Sequence, residues 1–216
     1  MDVQHAVITG GGGSLAAAMM RAMSTPLWQL EAPTRSELDV TDAAAVDAYF
    51  KDRPIDLLVC AAGAVADAPL ARMGEESWDH IFAVNYQGAA DCAAAVLPTM
   101  LRQQRGHIIL ISSHSALHPP TGQAAYASAK AALLGLNATL ARRYGRHNIR
   151  VNTLLPGFIE SRITEAVSAS RKAEILEKHA LGRLNDAAAV ARFVAFLHTD
   201  LPHTSGQVFQ LDSRPT

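Results

Sequence analysis

Ser113, Tyr126 and Lys130 are the side chains of this sequence whose types and spacing best suit proton transfer. Tyr126 and Lys130 are four apart in a helical pattern, so both project from one face toward a common ligand. A free phenol, with a pKa of about 10, is a poor acid or base at neutral pH, and an adjacent ammonium is expected to lower that value. Ser113 follows the apolar run His107 to Ile111 and can hydrogen-bond the same substrate oxygen, holding it near the tyrosine. A tyrosine and a lysine at this spacing are also ordinary surface neighbours, so the pair needs company. Thr9-Gly10-Gly11-Gly12-Gly13-Ser14-Leu15-Ala16 provides some, as a run of unobstructed backbone amides ahead of a helix whose positive end suits a pyrophosphate. The same glycines would also serve a plain tight turn.

Elements to position these groups are visible as alternating patterns. Val3 to Thr9, Leu27 to Leu30, Ile55 to Ala61, His107 to Ile111, Ile149 to Leu155 and Val208 to Leu211 are short apolar runs bounded by turn-formers, which predicts buried strands. Helical patterns fill the intervals at Ser14 to Met23, Asp42 to Lys51, Glu75 to Gln103, Gln123 to Arg146, Glu160 to Leu181 and Asp186 to His198. Strands apolar on both faces, alternating with helices, predict an α/β fold: a single doubly wound parallel sheet with helices on both faces. In such a sheet a ligand lies beyond the carboxyl ends of the strands, where the strand order reverses. Two helical stretches, Tyr86 to Leu101 and Ala124 to Leu140, are apolar around much of their circumference. That suits a homodimer or homotetramer interface, or deeper burial within one chain.

Composition narrows the partners. The 216 residues fit one domain, and 49% apolar against 18% charged residues exclude disorder. A net charge of -1 gives no footprint for nucleic acid or for an anionic membrane surface, and no apolar run is long enough for a membrane span. Cys60 and Cys92 form no CxxC pair, and the nine histidines show no ligand spacing with a carboxylate. No metal site and no disulfide framework are expected, and a reducing cytoplasm is the expected compartment.

TGGGGSLA in the first loop, Cys60-Ala61-Ala62-Gly63, Asn85 in VNYQG, Ile111-Ser112-Ser113, YASAK at Tyr126 to Lys130 and VNTLLPGFIES at Val151 to Ser161 together resemble the short-chain dehydrogenase/reductase family in order and spacing. The segments LGRLNDAAAVARFVAFL and SGQVFQLD are most similar to its 3-oxoacyl-carrier-protein reductase members. The resemblance runs from Val3 to Asp212. It implies a Rossmann fold and a tetrad of Ser113, Tyr126, Lys130 and Asn85, in which Tyr126 protonates a carbonyl as hydride arrives from a nicotinamide. Lys130 would also bind the nicotinamide ribose, and Asn85 would hold a water linking Lys130 to solvent. Cofactor contacts are implied at Gly10, Gly12, Gly13, Ser14, Leu15, Asp39, Val40, Ala61, Ala62, Gly63, Tyr126, Lys130, Pro156, Gly157 and Ile159, with Asp39 accepting from the adenine amino group. The implied substrate is a small-molecule or carrier-bound carbonyl compound, a β-ketoacyl thioester or similar ketone.

The sequence departs from the family pattern in several places. Ser14 and Ala16 stand where the family has its second and third glycines, Cys60 replaces an asparagine, and Asp212-Ser213-Arg214 replaces Asp-Gly-Gly. Only about a dozen residues separate Leu27 from Asp39, too few for a helix and a further strand at about 1.5 Å per helical residue, so the fold is expected to be shortened around its second strand. The 2′ position of the adenine ribose is read just after that strand, by an acid for NAD or a base for NADP. Glu31 and Arg35 both lie there, and Arg35, further out, tips the expectation slightly from NAD(H) to NADP(H). His114 and Phe158 are expected on the substrate side, with His118 as an alternative contact, Met73 and Ile163 as apolar lining, and the segment from Glu160 to Leu181 as a flap. Two rival readings stay open: alcohol oxidation in the reverse direction, and a reductase-like scaffold or regulatory subunit that binds nucleotide weakly.

Overall fold

The computed structural model of the chain describes residues 3–161, 164, 165 and 167–215. Six parallel strands form one sheet: β1 (Gln4–Ile8), β2 (Trp28–Glu31), β3 (Leu57–Cys60), β4 (Gly106–Ile111), β5 (Ile149–Leu155) and β6 (Val208–Gln210), in the spatial order β2-β1-β3-β4-β5-β6. Helices α1 (Ser14–Ala22), α2 (Ala43–Phe50), α3 (Glu75–Phe82), α4 (Gly88–Gln103), α5 (Ala124–Tyr144), α6 (Ala169–Glu177) and α7 (Ala187–Thr199) follow in the intervals. The fold is the expected Rossmann-like one, and the reversal of strand order falls between β1 and β3, which sets the crevice above those two strands.

The period-two alternation of the strands divides the core. Val7, Leu58, Ile108, Leu110 and Val151 face α2, α4 and α5, packing on Phe50, Cys92, Val96, Met100 and Leu133. Ala6, Ile8, Leu57, Val59, Ile109 and Leu154 point the other way, onto Met19 and Met23 of the α1 side and Ala191, Val194 and Leu197 of α7. At about 25 cal/mol per Å², burial of these two layers is the main favourable contribution to folding. Local chemistry sets the helix boundaries: Asp42 caps α2 by accepting from the Ala44 and Ala45 amides, each at 3.0 Å, and Asp186 caps α7 through Ala189 at 2.7 Å.

Two helical expectations are corrected. Glu75 to Gln103 is not one continuous α-helix: a π-helical turn, Ala83–Gln87, separates α3 from α4 and carries Asn85 inward. Among the described residues of the polar stretch Glu160 to Leu181, the α-helix spans Ala169–Glu177 in α6. Ahead of α6 the Thr164 hydroxyl donates to the Ile159 carbonyl at 2.8 Å and accepts from the Ser161 amide at 2.9 Å, which satisfies the backbone in a turn instead. The shortening around β2 is as expected. Between β2 and α2 the chain makes turns through Thr34 to Val40 without a further strand, so β2 forms the edge of the sheet.

Candidate active site

Every residue expected at the cofactor lines one cavity of about 410 Å³ at the carboxyl ends of β1, β3, β4 and β5: Gly10, Gly12, Gly13, Ser14, Leu15, Arg35, Asp39, Val40, Ala61, Ala62, Gly63, Tyr126, Lys130, Pro156, Gly157 and Ile159. Thr9 ties two of its walls together, its hydroxyl accepting from the Ala61 amide at 3.1 Å and the Ala62 amide at 3.2 Å. This cross-strand tie stands beside Cys60, whose thiol donates only a weak 3.7 Å bond to the Ala89 carbonyl. Gly13 caps α1 without any side-chain bond, so the helix start is left open to an anion. Gly11 fits where nothing larger can, because a Cβ there would lie 1.9 Å from the Ala32 carbonyl oxygen just after β2. Ala16, where the family's third glycine would be, is buried in the core beneath α1.

The two charged candidates near β2 separate clearly. Glu31 is held by the Arg53 guanidinium at 2.8 and 2.9 Å, the Tyr49 hydroxyl at 2.8 Å and the His5 ring at 2.7 Å, and it lies outside the cavity wall. Its carboxyl sits below the ordinary range: burial raises it, and the bonds from Tyr49, His5 and Arg53 outweigh that. Arg35 lines the cavity with its side chain 76% exposed. Its Nε donates to Asp39 at 3.0 Å, and Asp39 also accepts from the Thr41 hydroxyl and amide, which draw its pKa down to about 2.

Ser113, Tyr126 and Lys130 meet at the inner end of this cavity. The Ser113 oxygen caps the short turn His114–Ala116 by accepting from the Ser115 amide at 3.1 Å, which fixes its position at the end of β4. Lys130 pins α5 to the same strand end, since its ammonium donates to the Ile111 carbonyl at 2.8 Å while the Ser112 hydroxyl donates to the Lys130 carbonyl at 2.8 Å. Burial lowers Lys130 to about 8. Its Nζ lies 5.8 Å from the centre of the Tyr126 ring.

The expectation that lysine draws the phenol downward is corrected here. Burial pushes Tyr126 up, a hydrogen bond with Ser113 pulls down against it, and Asp67 adds to the upward shift. Tyr126 is therefore a neutral phenol at neutral pH. Asn85 is buried, with its amide donating to the Ala64 carbonyl at 2.7 Å and the Ile81 carbonyl at 2.9 Å. It ties the loop after β3 to the π-helical turn and does not line the cavity.

A second cavity of about 600 Å³ shares Ser113, Tyr126, Gly157 and Thr164 with the first. His114, His118 and Phe158, the residues expected toward the substrate, line this cavity, with the two imidazoles stacked at 4.6 Å. Met73 lines neither cavity, and Ile163 lies outside the described residues. Sequence reasoning missed the cationic part of this wall: Arg171 in α6, Lys178 at its C-terminal end and Arg214 of the tail. The spacing of Arg171, Ile175 and Lys178 was the available signal, because i, i+4 and i+7 share one helical face. Among the described residues no group of His, Cys, Asp or Glu is arranged to hold a metal ion, and no helix is long and apolar enough to cross a membrane.

A family model described as enoyl-(acyl carrier protein) reductase matches residues 14–213. The 3-oxoacyl-(acyl-carrier-protein) reductase FabG of Escherichia coli is 38% identical over 168 residues, 76% of this chain and 69% of that protein. The FabG of Chlamydia trachomatis is 32% identical over 98% of this chain and 86% of its own length. The chain belongs to the short-chain dehydrogenase/reductase family. The FabG of Thermotoga maritima is 38% identical over 159 residues, 73% of this chain, a match that spans 65% of that protein. A solved structure from Beutenbergia cavernae, assigned as an NAD(P) dependent gluconate 5-dehydrogenase with bound NADP, superposes with a TM-score of 0.93 at 25% identity over 99% of this chain and 96% of that one. As a member of the family the chain is an NAD(P)-dependent short-chain oxidoreductase.

Proposed function

We propose that this oxidoreductase uses NADPH to reduce a ketone, a β-ketoacyl thioester or a similar compound, to a secondary alcohol. The observation that carries the reading is the placement of Ser113 and Tyr126 where the two cavities join, with the buried Lys130 lining the first beside them. The bound nicotinamide would supply the hydride. Ser113, anchored through Ser115, would orient the carbonyl oxygen, and Tyr126 would give its proton to that oxygen as negative charge develops there. Reduction is the direction proposed, in keeping with the likeness to the FabG reductases. Lys130 would hold the nicotinamide ribose and attract negative charge toward the phenol.

The unobstructed α1 start fits a pyrophosphate, and the small residues Gly10, Ala61 and Ala62 leave room for a nucleotide. The sequestration of Glu31 favours NADPH, because it leaves Arg35 as the cavity's charge nearest the 2′ position. A homodimer or homotetramer is proposed from α4 and α5, whose solvent faces carry Ala94 and Pro98 and Gly135, Ala138 and Thr139. Both cysteines are free and buried, which agrees with a reducing cytoplasm. Fluorescence titration with NADPH and NADH side by side, followed by ketone-dependent oxidation of the reduced nucleotide, tests the proposal. Tighter NADPH binding with turnover of acetoacetyl thioesters is expected, and failure to bind either nucleotide would overturn it.

A further inference from the structure

The second cavity is lined by three cations, more than its one lining carboxylate. Arg171, Lys178 and Arg214 line it against a single carboxylate, Asp67, whose two oxygens accept from the Gln123 amide at 3.1 and 3.0 Å. Arg171 spends part of its charge on Glu174 at 2.6 Å. Lys178 is exposed and has no carboxylate within 4.0 Å among the described residues.

Arg214 is held in a built site. Its side chain is 11% exposed, and Nε and Nη2 pair with Asp212, whose side chain is fully covered. Gln210 donates to the Arg214 carbonyl at 3.0 Å, and the Ser213 carbonyl accepts from the Ala180 amide at 3.0 Å, so the tail is fastened to both the sheet and the end of α6. Asp212 also packs against the Pro156-Gly157 turn: a Cβ on Gly157, whose φ is +82°, would lie 2.6 Å from the Asp212 Cβ. The bonds from Arg214 leave Nη1 without a partner among the described residues. Nδ1 of His114, on the same wall, is buried and also unpartnered. A guanidinium fixed in this way loses little rotamer freedom when it binds an anion.

We infer that this cavity recognises an anionic group carried by the ketone substrate, with Arg214 and Lys178 as the residues that select it. The inference rests on the reductase reading for the position of the ketone at Ser113 and Tyr126. The anion can be a carboxylate on a small oxo acid or a phosphate on a pantetheine arm, and the two make the same charge-assisted hydrogen bonds.

The test compares two pairs of substrates with NADPH: acetoacetate against ethyl acetoacetate, and acetoacetyl-pantetheine 4′-phosphate against acetoacetyl-pantetheine. In one pair the anionic member is expected to have a kcat/KM about tenfold or more above its neutral partner, chiefly through KM, and that pair identifies which group carries the charge. Arg214→Gln and Lys178→Gln should each shrink this ratio, whereas damage to the fold alone would lower both members together. Lys178→Gln, at an exposed helix end, keeps the test open if Arg214→Gln leaves Asp212 unpaired and fails to fold. A ratio near one in both pairs, or a ratio unchanged in both variants, would overturn the inference and leave the reductase reading standing. If no ketone is reduced, calorimetric titration of 3-hydroxybutyrate against its ethyl ester and of pantetheine 4′-phosphate against pantetheine decides: binding of either anion without its neutral partner, weakened by Lys178→Gln, upholds the anion site without the reductase reading, and binding of neither overturns both.

Discussion

The Lys130 ammonium stands 5.8 Å from the centre of the Tyr126 ring and donates its proton to the Ile111 carbonyl, not to the phenol. The ammonium therefore makes no hydrogen bond to the phenol, although both side chains line the first cavity. Replacing Tyr126 by Phe deletes the acid but no contact to the phosphate loop. A fall in kcat of about 10²- to 10⁴-fold is expected, with the NADPH dissociation constant within about twofold of the parent. Stopped-flow and equilibrium titration check the two halves, and near-normal turnover would remove Tyr126 from its role.

Lys130 should impose a pH limit. Burial lowers it to about 8, so its charge is present below that value and is lost as pH rises through it. NADPH affinity is expected to weaken between about pH 7 and about pH 9.5. Lys130→Met should bind weakly across the whole range with the slope gone. A parental slope in the variant would assign the titration to another group.

Arg35 is exposed, and its contribution to nucleotide choice is expected to be correspondingly modest. Arg35→Ala should reduce the preference for NADPH over NADH by about fivefold, the equivalent of one exposed ion pair at about 1 kcal/mol. Parallel titrations give the ratio directly. An unchanged ratio would mean that the 2′ position lies elsewhere.

Acid should loosen the far end of the sheet. His107 and His198 stack there at 5.4 Å with their Nδ1 atoms 3.3 Å apart, beside Arg150, whose guanidinium donates to the Leu197, His198 and Leu201 carbonyls at the end of α7. Burial, then Arg150, lowers His198 to about 4 and His107 well below its usual value. An unfolded histidine takes up a proton near pH 6.5 and these do not, so the unfolded chain binds more protons in that window and stability falls as pH drops from about 6.5 toward 4. Each histidine contributes about 1.4 kcal/mol per pH unit at most. Tm measured from pH 7 to about pH 4.5 should fall, and His198→Gln should flatten the fall. A flat parental profile would contradict this.

The strands and the proposed catalytic pair were legible because their signals are local: apolar runs such as Leu57–Cys60, and one helical turn joining Tyr126 to Lys130. What escaped depends on residues distant in sequence. Glu31 looked like a reader of the ribose until Tyr49 and Arg53, 18 and 22 residues on, were seen to hold it. The upward shift of Tyr126 comes from burial by the whole assembled site, which a spacing of four cannot reveal. Arg214 reaches the second cavity because the tail docks on the Ala180 amide and the Gly157 turn, contacts with no periodicity to announce them.

The contact between Gly11 and Ala32 makes the start of the sheet a mechanical unit. Gly11 also donates its amide to the Pro33 carbonyl at 2.9 Å, so the loop that would grip the phosphates is bolted to the chain leading into Arg35. Grip and discrimination cannot then be tuned as separate modules. An engineer who grafts a foreign segment after β2 to switch the cofactor would displace the phosphate loop as well, and should expect affinity and selectivity to change together unless Gly11 and its two carbonyl neighbours are carried across as one piece.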